Sequence, residues 1–194
     1  MRIGIDIDGV VANTQQAMLD VFQIEKLVPA DTNLQHWVDW ACWDIWPDAT
    51  EQFIRDLFRQ PAFWESIKPM DYAIDSLRRM IQCGHDVVLV TARGSREGMS
   101  SWVKGAHPPV HILTREWLHR YDVPYDDLIF NEDKRSVARE ERLLCFVEDR
   151  YVNACLLSQA CEQVYLLDAA WNQGELPDNV MRTTWREMNW WRAT

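Results

Sequence analysis

Five short apolar runs, spaced so that a helix fits between most of them, constrain the fold of this chain more than any other feature. They are Arg2–Asp8, Asp86–Thr91, Asp127–Asn131, Leu143–Glu148 and Gln163–Leu167. Helical patterns fall between them, over Ala73–Cys83 with Gly84 as a stop, His111–Tyr121, a short Val137–Glu141, and Val152–Cys161. Apolar strands alternating with helices are the pattern of a parallel sheet covered on its faces. The expected architecture is therefore α/β, a doubly wound, Rossmann-like parallel sheet of about five strands. At 194 residues and 47% hydrophobic content the chain can build one sizeable core, with or without a small insert, and is not disordered.

The rhythm breaks once, between the first two runs. Residues 14–68 are far more chain than one crossover needs, and are expected to form a helical cap inserted into a core of residues 1–13 and 69–194. Gln16–Glu25 and Thr50–Gln60 read as its helices. Between them Trp37, Trp40, Trp43 and Trp46 recur at every third position, which on a 3.6-residue helix drifts by about 60° per step, so they cannot share one narrow face. Trp46 also precedes Pro47, which disfavours helix there. Either these rings form the small core of the cap, or some of Trp37, Trp40 and Trp43 face a cleft and stack on an aromatic ligand.

Polar residues gather where the runs end. Asp6 and Asp8 close the first run in Ile5-Asp6-Ile7-Asp8-Gly9-Val10. Two carboxylates this close disfavour each other's ionised form unless a cation or hydrogen-bond donors compensate, so the pair points to a metal, a phosphate or both. A hairpin at Asp8-Gly9 is the competing reading, but the polar, helix-like residues after Val11 do not look like a return strand. Thr91-Ala92-Arg93 ends the second run, Lys134 follows the third, and Glu148-Asp149 ends the fourth. In an open parallel sheet ligands bind beyond the carboxyl ends of the strands, so the four clusters are expected to meet at one edge.

These segments resemble the four signature motifs of the haloacid-dehalogenase-like (HAD) phosphohydrolase superfamily. Asp6-Ile7-Asp8-Gly9-Val10 is similar to the first, Thr91 to the second, Lys134 to the third, and Glu148-Asp149 with Asn153 to the acidic fourth. Phe63-Trp64-Glu65-Ser66-Ile67-Lys68-Pro69, Val90-Thr91-Ala92-Arg93 and Leu167-Asp168-Ala169-Ala170-Trp171-Asn172 with Arg182 and Trp185 are most similar to the 5'(3')-deoxyribonucleotidase family and the nucleotidases grouped with it.

The resemblance implies a Mg²⁺-dependent phosphomonoesterase working through an aspartyl-phosphate, with a nucleoside monophosphate as substrate. Asp6 would be the nucleophile and Asp8 the acid and then the base, a task that a pKa raised by its neighbours would suit. Asp6, the backbone carbonyl of Asp8, and Asp149 would hold the ion. Thr91 and Lys134 would hold phosphoryl oxygens, and Glu148 and Asn153 would order the ion's waters or Lys134. Arg93 and Arg96 would bind a second anionic group or a sugar, or else are solvated loop charges. Asp168, Trp171 and Asn172 read as a structural turn packing the tail onto the core.

Composition sets limits on partners. A net charge of −10 without a basic run disfavours long nucleic acid, and leaves small anionic ligands. No apolar stretch is long enough to span a bilayer and the first residues enter a strand at once, so a cytoplasmic protein away from membranes is expected. The cysteines Cys42, Cys83, Cys145, Cys155 and Cys161 include no Cys-x-x-Cys pair and read as reduced core thiols. The five histidines show no metal-ligand spacing. A homodimer stays open. The competing functions are a phosphatase of another small ester, a nucleic-acid end phosphatase or phosphoryl transferase on the same fold, and a non-catalytic phosphate-binding module.

Overall fold

The computed structural model describes residues 1–38, 51–94 and 109–188. Six strands make one parallel sheet: β1 (Arg2–Ile5), β2 (Asp86–Thr91), β3 (Asp127–Phe130), β4 (Cys145–Glu148), β5 (Gln163–Leu167) and β6 (Val180–Thr183). Their order is β3-β2-β1-β4-β5-β6. The chain winds outward from β1 in one direction and from β4 in the other, so the topological switch lies between these two strands, and a crevice opens at their carboxyl ends.

The helices among the described residues are α1 (Thr14–Ile24), α2 (Glu51–Phe58), α3 (Pro61–Ser66), α4 (Ala73–Gln82), α5 (Val110–Arg120), α6 (Lys134–Glu140) and α7 (Tyr151–Leu157). Alternate strand residues enter two cores. Ile3, Ile5, Val87, Leu89 and Val147 join one face, with α1, α4 and α5. Val88, Val90, Phe146, Val164 and Leu166 join the other, with α6 and α7. Gly4 faces this second core because any side chain there would overlap the Phe146 ring, so the glycine lets the central strands be covered by a large aromatic.

The chain leaves β1 after Ile5, and the excursion that follows comes back beside Ala12 at Pro69. Ala12 bridges to Pro69, Asn13 N donates to Lys68 O at 2.8 Å and Met70 N to Val11 O at 2.8 Å. The segment between carries an aromatic cluster of Phe58, Phe63 and Trp64 with edge-on rings 5.2–5.8 Å apart. This cluster is continuous with the first core.

Several details differ from the sequence reading. The first strand stops at Ile5, three residues short of Asp8, because the chain turns at the carboxylates: Asp6 Oδ1 accepts from the next backbone N–H, Ile7 N, at 2.7 Å. A sixth strand, β6, extends the expected five. α3 begins at Pro61, which suits a first helical position, and was not foreseen. α6 starts at Lys134 rather than Val137, because the Asp133 side chain accepts from Ser136 N and caps it. Cys83 is exposed at the end of α4 rather than a core thiol, while Cys145 and Cys161 are buried; these and Cys155 are free thiols, and Cys42 lies outside the described residues. Among the described residues no helix is long and apolar enough to cross a membrane.

Candidate active site

Asp6 leaves the end of β1, and Glu148 and Asp149 leave the end of adjacent β4, so the switch point brings three acidic groups together from residues more than a hundred positions apart. Each offers a carboxylate oxygen within 4.8 Å of the others, and all three are buried. Lys134, at the start of α6 and also buried, puts its Nζ 2.6 Å from Asp6 Oδ2 and 2.8 Å from Glu148 Oε2. Glu148 is held at its other oxygen by Asn153 Nδ2 at 3.1 Å and Arg150 N at 3.2 Å. Its carboxylate therefore fixes the lysine, and Asn153 fixes the carboxylate.

Burial pushes the Asp6 carboxyl up to about 7; Lys134 opposes this, while Glu148 and Asp8 add to it. Asp149 is raised well above the carboxylate range, by burial and by Glu148 and Asp6. Lys134 is raised despite burial, because Asp6 and Glu148 favour its charged form. Ionising all three carboxylates against one ammonium would leave two uncompensated negative charges in a buried, all-oxygen donor set, which is why Asp6 and Asp149 hold their protons more tightly without a cation. That set fits a hard divalent cation such as Mg²⁺, and Asp6, Asp149 and Glu148 could hold one.

Asp8 takes a different course from Asp6. Its Oδ1 accepts from Thr14 Oγ1 and from Arg93 Nη2, the latter at 2.6 Å, and its Oδ2 accepts from Arg93 Nε at 2.8 Å. Burial alone would push this carboxyl up, but the Arg93 guanidinium overrides it by charge and hydrogen bonding, with Thr14 and Lys134 assisting, and holds it below the ordinary value. The raised pKa foreseen from its neighbours is thus reversed, because the nearest charged neighbour is a cation that sequence order does not reveal. Glu148, rather than the Asp8 side chain, completes the acidic cluster.

The tail of the chain closes the site from behind. Trp171 Nε1 donates to Asp149 Oδ2 at 3.2 Å, and Asn172 Nδ2 donates to Asp149 O at 2.7 Å and Leu167 O at 2.6 Å. Gln15 Nε2 reaches the same Asp149 oxygen at 3.4 Å. Trp185 Nε1 donates to Val10 O at 2.7 Å, binding the tail to the loop after β1. Gly9 adopts φ +71° with the Asp149 carboxylate where a Cβ would be, so the close approach of that loop to Asp149 requires glycine on both counts. The sequence reading of Trp171 and Asn172 as a structural turn packing the tail onto the core agrees with these contacts, and the donation to Asp149 is a role it did not include.

A cavity of about 770 Å³ opens over the acidic cluster. Asp6, Asp8, Lys134 and Asp149 line its floor, and Met18, Trp37, Ile54 and Phe58 form an apolar wall. Thr91 is fully buried at the end of β2 and does not line the cavity; its Oγ1 accepts from Arg93 N at 3.2 Å, and its neighbour Ala92 is the residue at the surface. Trp37 does border the cavity, but its ring is 1% exposed and stacks on Phe22 at 6.1 Å and 22°, so it serves the core as well. Trp40, Trp43, Trp46 and Arg96 lie outside the described residues. Arg93 is not a solvated loop charge: it is wholly buried.

A buried aspartate, lysine and acidic pair at the carboxyl edge of a Rossmann-like sheet define a HAD-type phosphatase. Solved structures share the fold over nearly the whole chain. A D,D-heptose 1,7-bisphosphate phosphatase from B. bronchiseptica aligns with TM-score 0.52 at 15% identity, covering 94% of this chain and 91% of that one. A haloacid dehalogenase-like protein from Streptococcus pneumoniae aligns with TM-score 0.54 at 11% identity, covering 95% and 94%. Residues 1–155 match the family described as 5' nucleotidase, deoxy (pyrimidine), cytosolic type C protein, and the chain belongs to that family. It is also 27% identical over 195 residues to a nucleotidase of Clostridium acetobutylicum, an alignment covering 94% of this chain and 88% of that protein.

Proposed function

We propose that this phosphatase is a Mg²⁺-dependent 5'-nucleotidase that hydrolyses nucleoside monophosphates in the cytoplasm through an aspartyl-phosphate on Asp6, with residues 14–68 as a cap over the core. The observation that carries this reading is the pairing of a buried Asp6–Lys134–Asp149 floor with an apolar, partly aromatic wall in one cavity of about 770 Å³. Pockets of several hundred Å³ with such walls suit a ligand that is charged at one end and flat and apolar at the other. The family assignment and the nucleotidase relative support the substrate class. The heptose bisphosphate phosphatase, solved with magnesium and phosphate, supports the cofactor.

In this reading an Asp6 oxygen attacks phosphorus while the bond to the leaving oxygen breaks and Asp8 gives that oxygen a proton. Water then attacks the phosphorus, its proton returns to Asp8, and the bond from phosphorus to Asp6 breaks. The arriving phosphate dianion raises the proton affinity of Asp8, which sets the lowered carboxyl up as an acid in the complex. Lys134 holds the phosphoryl oxygens and also fixes the carboxylate that attacks, while the buried Thr91 hydroxyl, held by Arg93 N, supports the loop beneath the cavity rather than touching the phosphate as the sequence suggested. Asp6, Glu148, Asp149 and the Asp8 carbonyl would hold Mg²⁺, which would supply charge neutralisation between an anionic nucleophile and an anionic phosphate.

The test is a panel of nucleoside monophosphates, sugar phosphates and an aryl phosphate, assayed with Mg²⁺ and with a chelator, for the wild type and Asp6→Asn. Nucleotides are expected to outrun sugar phosphates, only with Mg²⁺, and the variant to be silent while folded. Turnover by Asp6→Asn overturns the nucleophile, and equal rates across ester classes overturn the nucleotide assignment.

A further inference from the structure

Arg93 is a guanidinium buried completely, and the structure shows what it is buried for. Its Nε and Nη2 grip both oxygens of Asp8 at 2.8 and 2.6 Å. Its Cζ lies 4.8 Å from the centre of the Trp64 ring and 6.0 Å from that of Trp117. Those rings are themselves pinned, Trp64 Nε1 donating to Phe58 O and Trp117 Nε1 to Ile67 O, each at 2.8 Å. Aromatic faces stabilise a planar guanidinium and fix the plane of its fork. The third nitrogen, Nη1, is buried and has no partner among the described residues, so no donor of this side chain is turned to solvent.

An ionised carboxylate can accept at about four lone-pair sites. Three of those on Asp8 are filled, by Arg93 Nη2 and Thr14 Oγ1 on Oδ1 and by Arg93 Nε on Oδ2. One site on Oδ2 is left, on a side chain that is 23% exposed and borders the cavity. Building on the phosphomonoesterase reading above, we propose that Arg93 is a positioning residue: with Thr14 it locks the Asp8 carboxyl so that a single site of Oδ2 exchanges the proton with the leaving oxygen. The proton on that site passes to the oxygen departing from phosphorus as the Asp6–phosphorus bond forms, and the attacking water later returns a proton to the same site. Lysine cannot do this, since an ammonium offers a point charge and no fork.

The discriminating experiment compares kcat and KM on an alkyl phosphate, whose leaving oxygen needs a proton, with an aryl phosphate of acidic leaving group, which does not. Arg93→Ala is expected to lose on the order of 100-fold in kcat/KM on the alkyl ester and less than about fivefold on the aryl ester, because kcat/KM reports the steps through departure of the leaving oxygen, whereas hydrolysis of the aspartyl-phosphate is common to both and lowers kcat on each. Guanidinium added to Arg93→Ala should restore part of the alkyl activity, and Arg93→Lys should behave like the alanine variant. Equal losses in kcat/KM on both esters, or a raised KM with kcat kept, overturn the proposal. Thr14→Val removes one of the three contacts and is expected to show the same ester-dependent loss at about tenfold. If Arg93→Ala does not fold, Thr14→Val decides alone, and an equal loss in kcat/KM on both esters from it overturns the proposal. Absence of wild-type turnover would sink the phosphatase reading instead, and the two failures are thereby separate.

Discussion

Replacing Lys134 by Met tests the charge arrangement of the site directly. Its Nζ is the cation 2.6 Å from Asp6 and 2.8 Å from Glu148, with side chains 5%, 6% and 0% exposed. Methionine keeps the length and removes the charge, so three buried carboxylates face one another without the ammonium. Removing one partner of a buried pair costs about 3–5 kcal/mol, because the remaining charge stays desolvated. Two pairs are broken here, but the loss does not double, since Asp6, already pushed up to about 7, can take a proton instead. The expected loss in metal-free protein at pH 7.5 is therefore about 3–5 kcal/mol, read from urea midpoints at unchanged m-value. In a domain of this size it corresponds to a fall in Tm on the order of 10 °C. It should shrink at pH 5.5, where Asp6 is protonated, and Mg²⁺ should recover part of it. A loss below about 1 kcal/mol at pH 7.5 would refute the claim that the ammonium is what lets these carboxylates share a dry site.

Two further outcomes are expected. Asn172→Ala removes the side chain that donates to Asp149 O and Leu167 O, leaving two buried carbonyls unpaired; it should cost about 2 kcal/mol and weaken Mg²⁺ binding about tenfold or more by calorimetry, and unaltered Mg²⁺ affinity would show that the tail does not position Asp149. Because Asp6 and Asp149 have raised folded values, the folded metal-free protein holds protons that the unfolded chain has shed, so its stability should fall as pH rises from about 4 to 7, whereas the lowered Asp8 contributes stability that is lost only below about 4. Stabilisation by Mg²⁺ should therefore be larger at pH 8 than at pH 5 by denaturant titration, and equal gains would contradict the assignment.

What could be read from the sequence was whatever local pattern and strand-end position encode. Asp6, Lys134, Glu148 and Asp149 each sit at or just past the end of an apolar run, and parallel pairing of β1 with β4 alone suffices to bring the acids together. Arg93 sits at such an end as well, but its burial depends on Trp64 and Trp117, which arrive from α3 and α5 and carry no mark of it in the sequence. β6 escaped because only Val180 of its four residues is buried and Met181 is exposed, so neither alternation nor an apolar run announces it. Trp171 and Asn172 form the structural turn expected of them, and what the sequence did not carry is that this turn also donates to Asp149.

The two arginine and lysine partnerships divide the site into parts of different charge, and that division bears on the order of events. Asp8 with Arg93 is a neutral pair, whereas Asp6, Glu148 and Asp149, once ionised as the nucleophile must be, outweigh Lys134 by two negative charges. A phosphate dianion cannot approach the second group in that ionised state, because like charges in a low-dielectric crevice repel strongly. One divalent cation brings that group to neutrality without disturbing Asp8, whose carboxyl is already matched by its own guanidinium. Were Arg93 free to bind substrate instead, Asp8 would add a third uncompensated charge and one divalent ion would no longer suffice. The buried arginine therefore does for the proton-transferring carboxyl what the cation does for the nucleophile, and keeping the two compensations on separate carboxylates leaves Asp6 open to phosphorus and one oxygen of Asp8 open to the leaving group.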